Sequence, residues 1–147
     1  MKKQISRALL GLAAALALGV AANAQAVMNK VVIRVPFDFV AGGRQMPAGG
    51  YTVRRARADA ESALIIQNVD GRSSAVVLTN TGDARPTTAA LVFRQRGDRY
   101  FLAEVSMPGT ASVRELPKSG AERSLERELA GQKGGESKEV TVVGSMQ

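Results

Sequence analysis

"AALVFRQRGDRYFLAEVS", Ala89 to Ser106, decides the class of fold. Two runs rich in β-branched and aromatic residues flank Gly97-Asp98. A glycine opening a two-residue loop fits a type II′ turn, whose twist matches that of the flanking strands. With that turn Phe93 faces Leu102 and Arg94 faces Phe101. Cross-strand pairs of this kind contribute about 0.2–1 kcal/mol each. The register also sets Glu104, the acid of an otherwise apolar strand, opposite Leu91.

A second hairpin lies upstream. "ALIIQNV" (Ala63 to Val69) and "RSSAVVLT" (Arg72 to Thr79) flank Asp70-Gly71, a dipeptide suited to a type I′ turn. Ile66 then faces Ala75, Leu64 faces Val77 and Ile65 faces Val76. Both faces are apolar in the middle, so the pair is expected to be covered on both sides. Before it stands "YTVRRAR" (Tyr51 to Arg57), with Tyr51, Val53 and Arg55 on one side. "KVVIRVPFDFV" (Lys30 to Val40) puts Val31, Ile33, Val35, Phe37 and Phe39 on one parity, Arg34 and Asp38 on the other. That is the period of a strand with one buried face. Pro36 cannot donate to a ladder and marks an edge or a break. "AGGRQMPAGG" (Ala41 to Gly50) and "NTGDARPTT" (Asn80 to Thr88) read as connections.

Downstream, "ASVREL" forms one more short strand, and then the period changes. Ser119 with Glu122 three residues on is a capping box. Leu125 and Leu129 share one helix face, and Gly131 is a stop. "QKGGESK" (Gln132 to Lys138) is a linker. "EVTVVG" (Glu139 to Gly144) is either a last strand or a tail. The expected architecture is mainly β: a small antiparallel sandwich or partly open barrel of six to seven strands. One short C-terminal helix would cover an edge or an open end.

The amino-terminal 26 residues are of another kind. Lys2, Lys3 and Arg7 precede the uncharged run Ala8 to Ala22, and Ala24-Gln25-Ala26 ends it. Positive, apolar, then small-x-small is the layout of a cleaved secretory signal. The expected cut follows Ala26, or Ala24, and the expected location is periplasmic or extracellular. The apolar run is shorter than the ~20 residues a membrane helix needs, and nothing later replaces it. The expected parts are thus the signal (1–26), a β domain (27–116), a helix packed on it (117–131) and a linker with tail or last strand (132–147).

The 147-residue chain has 20 basic and 13 acidic residues, and loss of the three leader cations would leave 17 against 13. Such a modest surplus, mostly arginine, fits weak attraction to anionic polymers or lipid headgroups. It does not amount to the dense patch of a dedicated nucleic-acid binder. Two arginine sets carry the anion-binding candidacy: Arg54, Arg55 and Arg57, and on the other hairpin Arg94, Arg96 and Arg99. The plainer alternative is an ordinary basic surface.

There is no histidine and no cysteine. This removes Ser-His-Asp and Cys-His catalysis, the usual zinc sites and iron–sulfur clusters. Disulfides are removed too, so the core alone must hold the fold. No cofactor is expected. Asp59, Glu61, Asp70 and Asp83 are the nearest approach to a calcium site, without the spacing of a known calcium loop. A hydrolase using carboxylates alone remains open, with Glu104 as its acid if that residue is buried. Arg96-Gly97-Asp98 spells an integrin-binding tripeptide, against which stands plain turn chemistry.

"VPFDFVAGGRQMPAGGYTVRR" (Val35 to Arg55) and "GDRYFLAEVSMPGT" running into "RELPKSGAERSLERELA" (Gly97 to Ala130) resemble a family of small exported proteins abundant in acidobacterial genomes. Pro-Phe-Asp-Phe, the Pro-Ala-Gly-x-Tyr turn and Glu-Leu-Pro-Lys-Ser carry the resemblance. Met46 and Gly50 depart from it, standing where leucine and threonine are expected. The resemblance implies export and a β-rich fold, and brings no activity or site residues with it. The leading expectation is therefore a non-catalytic exported β module that binds an envelope protein or an extracellular polymer. The carboxylate hydrolase and the arginine-mediated binder of anionic polymer or lipid are the alternatives.

Overall fold

The computed structural model describes residues 31–131 and 137–146. The expected leader with both cleavage positions, and most of the linker, lie outside these residues. The described chain is mainly β and forms two packed sheets. In the first, β12 (Ser145–Met146), β1 (Val31–Val35), β4 (Gly49–Arg57), β5 (Ala60–Asn68) and β6 (Ser74–Leu78) follow in that order. In the second the order is β11 (Lys138–Val143), β8 (Ala90–Arg96), β9 (Arg99–Ser106), β10 (Arg114–Glu115) and β7 (Asn80–Thr81). The free edge of β9 also carries β2 (Phe39–Ala41), parallel at Val40–Phe101, and β2 pairs in turn with β3 (Arg44–Met46).

Twelve segments replace the six or seven expected because the chain crosses between the sheets four times. Pro36, with no N–H to give, ends β1 in one sheet, and β2 starts in the other; the chain returns across Pro47 and Ala48, between β3 and β4. At Thr79 the run β6–β7 bends across. The fourth crossing is Gly144, whose N–H bonds the Ala89 carbonyl at 2.7 Å. A Cβ on Gly144 would stand 2.7 Å from Ile33 Cγ1, so the corner closes only around glycine. The tail is therefore a strand, paired with β8 from Lys138–Gln95 to Val143–Ala90.

The core lies between the sheets. Ile33, Val35, Tyr51, Leu64, Ile66 and Val77 from the first sheet meet Phe39, Leu91, Phe93, Leu102 and Val105 from the second. The period-two reading of β1 holds: Ile33 and Val35 are buried and Arg34 is exposed. Phe39 packs edge-on against both Tyr51 and Phe93, at 5.0 and 5.1 Å between centroids, and Phe37 stacks on Tyr100. Such pairs add about 0.5–1.5 kcal/mol beyond their buried area.

Both hairpin registers stand as read: Phe93–Leu102, Arg94–Phe101, Ile66–Ala75 and Leu64–Val77. Three details differ. A bulge at Ala103 shifts β9 by one residue, so Glu104 faces Val92 and not Leu91. The Asp70-Gly71 loop is also wider than two residues. Val69 N–H turns aside to the Gly50 carbonyl, and the Asn68 and Asp70 side chains accept from Asp70 N–H and Arg72 N–H. The turn with two consecutive left-handed residues lies elsewhere, at Gly42 (φ 57°) and Gly43 (φ 84°) between β2 and β3. Third, the β5–β6 pair is covered on one side only. Val76 is 65 % and Leu78 69 % exposed, because the helix packs on the other sheet.

That helix, α1 (Gly120–Ala130), begins as expected, with Glu122 N–H donating to Ser119 Oγ. It lies against the face of β8, a central strand, and covers neither an edge nor an open end. No helix among the described residues is long and apolar enough to cross a membrane.

Candidate functional site

The six arginines of the two candidate sets do not share a groove. Arg94 and Arg96 alternate with Phe93 on β8, so they emerge on the outer face of the second sheet, where α1 lies. Arg94 Nε donates to Glu122 Oε1 at 2.7 Å, and its Nη2 bonds Glu122 Oε2 and the Leu116 carbonyl. Arg96 Nη2 pairs with Glu126 at 3.0 Å, and Lys118 Nζ reaches the same carboxylate at 2.8 Å. Glu122 is only 1 % exposed and is the one fully buried residue of the helix. Its N–H completes half of the capping box, while its carboxylate serves the arginines. Leu125 and Leu129, which share one helix face, are half-buried.

The two arginines are thus neutralised inside the fold. Arg96 is 6 % exposed, so the Arg-Gly-Asp tripeptide is not displayed, although Gly97 does turn the hairpin at φ 60°. Arg99 is exposed and sits 5.4 Å above the Phe101 ring, a cation–π distance. The carboxylate of Glu126 titrates below the ordinary glutamate range. The hydrogen bond from Lys118 is the main cause; partial burial opposes it, and the charges of Arg96, Lys118 and Arg94 add to it.

Arg54, Arg55 and Arg57 lie on β4, in the other sheet. Arg57 is spent on an exposed pair with Asp59 at 3.1 Å. Arg54 and Arg55 instead line a cleft of about 390 Å³ where the two sheets part at one end of the sandwich. Val53, Leu64 and Val105 form its apolar floor, and the turn from Met107 to Ser112 forms its outer wall. The turn is closed by Thr110, whose N–H and hydroxyl both point to the Met107 carbonyl. Arg114 and Glu61 also line the cleft, paired with each other at 2.9 Å. Glu61 is the single acid among these lining residues.

Glu104 is half-buried, accepts a hydrogen bond from Ser106 and has Glu115 as its cross-strand neighbour on β10. Neither acid lines the cleft. Of the calcium candidates, Asp59 and Glu61 are held by arginines and Asp70 by its own turn. Among the described residues no three acidic side chains converge on a metal position.

The cleft was not legible in the sequence as a site. Its one signal is Arg55, a cation in the core-facing row of β4 after Tyr51 and Val53. The buried cluster had a signal too: the capping-box glutamate, which reads equally well as a solvent-facing N3 residue. Compared with protein-family models, curated proteins and solved structures, the chain matches none.

Proposed function

We propose that the protein is an exported, non-catalytic β-sandwich that binds a cell-envelope or extracellular ligand in the cleft between the ends of its sheets. The observation that carries this reading is the cleft itself: an apolar floor continuous with the core, a turn for a wall, and arginines at its lining. Concave, mostly apolar sites with a few polar groups are where small ligands bind. The leader-like residues 1–26 and the resemblance to exported acidobacterial proteins support the location.

The two alternatives have less behind them. A two-carboxylate hydrolase needs a second acid across the site, and the cleft offers Glu61 alone, already paired with Arg114. A broad anion-binding face needs the arginines together. Two of the six are instead neutralised beneath α1, and the rest lie on different sheets.

Met107→Trp, on the turn that walls the cleft, fills the cleft with a larger ring set over its apolar floor. Immobilised wild-type protein should retain a component of an envelope extract that the variant does not. Equal retention by both would remove the cleft from the function.

A further inference from the structure

We infer that the cleft takes a single-chain amphiphile with a carboxylate head, its tail between the sheets and its head on Arg55. The inference rests on the reading of the cleft as the binding site and names the ligand class.

Side chains alternate along a strand. On β4 the inward row runs Tyr51, Val53, Arg55, and these go from fully buried through half-buried to exposed. The cross-strand neighbour of Arg55 is Leu64, which is buried. The guanidinium therefore stands at the exposed mouth of the cleft, at the end of an apolar row, where an anion bound with its tail inside would meet it. The nearby cations have their anions: Arg57 has Asp59 and Arg114 has Glu61. Arg55 has no acidic partner among the described residues, and Arg54, also unpaired, belongs to the outward row.

One unpaired inward guanidinium matches one singly charged, planar acceptor, which a carboxylate provides in bidentate geometry. Behind the head the floor is Val53, Leu64 and Val105, and the wall opposite carries Met107, an adaptable apolar side chain. The lining holds no aromatic residue, so a sugar or a base has nothing to stack on. At about 390 Å³ the volume is near the small end of ligand pockets, enough for a flexible chain and too little for a helix of a partner.

The test titrates the full-length protein with decanoate, decanol and decyl phosphate below their micellar concentrations, following the methyl resonances of Val53, Leu64 and Val105. Decanoate should shift these methyls saturably and bind at least tenfold tighter than decanol. Arg55→Leu should keep the fold and bring decanoate down to the affinity of decanol, whereas Arg34→Gln, an exposed arginine of β1 outside the cleft, should change it less than threefold. Met107→Trp should weaken all three, which tests the tail site from the opposite wall. Equal binding of decanoate and decanol, or an undiminished preference in Arg55→Leu, would overturn the inference. So would decyl phosphate binding tenfold tighter than decanoate. If no amphiphile moves the methyls while the wild type still retains envelope material that Met107→Trp does not, the ligand class fails and the binding reading stands. If both variants behave as wild type in both assays, both fail.

Discussion

Glu122 shows how one side chain can be assigned correctly and understood only in part. Its place in the capping box follows from Ser119 three residues earlier, and its N–H does donate to Ser119. Its carboxylate goes to Arg94 and stands 3.8 Å from Arg96 Nε, because burial leaves two arginines needing an anion and the helix supplies it. Nothing in local spacing reveals that partnership, since β8 and α1 are separated in sequence and only the sheet's outward row joins them. The energetic consequence is asymmetric. Removing one partner of a buried pair leaves an uncompensated charge and costs about 3–5 kcal/mol. Glu122→Gln keeps the shape and removes the charge, and should lower stability toward the bottom of that range. Lys118→Gln breaks an exposed pair and should cost less than ~1 kcal/mol. Urea midpoints of the two variants separate the cases, and equal losses would deny Glu122 its special place.

The helix as an element is fixed more by these charges than by its leucines. Leu125 and Leu129 are half-buried and outside the core cluster, whereas Glu122 and Glu126 together meet Arg94, Arg96 and Lys118. Docking should therefore depend on pH. Glu126 titrates below its ordinary value, so the docked form binds fewer protons than the undocked form and is favoured above about pH 4.3. That advantage falls away as pH drops from there through the lowered value. Amide exchange in α1 should accelerate in this acid window while β4, β5 and β9 remain protected, since apolar side chains between the sheets hold those strands and the Arg114–Glu61 pair beside them is largely exposed on the glutamate side. Simultaneous loss of protection in helix and sheets would show that apolar contacts dock the helix after all. The strands were legible where alternation is strong, as in β1, β8 and β9. They were missed where two or three residues suffice, as in β3 and β7, because alternation needs more positions than those elements have.

For the whole molecule the decisive feature is that both sides of the sandwich are stitched by a bending strand: β6 into β7 on one side, β11 into β12 on the other. The hairpins could be derived from turn chemistry, but which sheet each joined could not, since that depends on contacts between segments a hundred residues apart. The second stitch is the clearest instance. β11 covers β8 along six residue pairs, and β12 returns to Val31 and Val32 at the start of β1. A chain ending at Gly131 would lose both. β8 would then present an unpaired edge of β-branched and aromatic residues, Val92 and Phe93 among them, and such an edge templates pairing with another chain. The truncated protein should be less stable and should associate in proportion to its concentration, while the full chain should not associate through β8. Sedimentation across a dilution series distinguishes these. A truncated chain that stayed monomeric with an unchanged urea midpoint would mean that the first ten strands close the fold by themselves and that the tail merely rests on them.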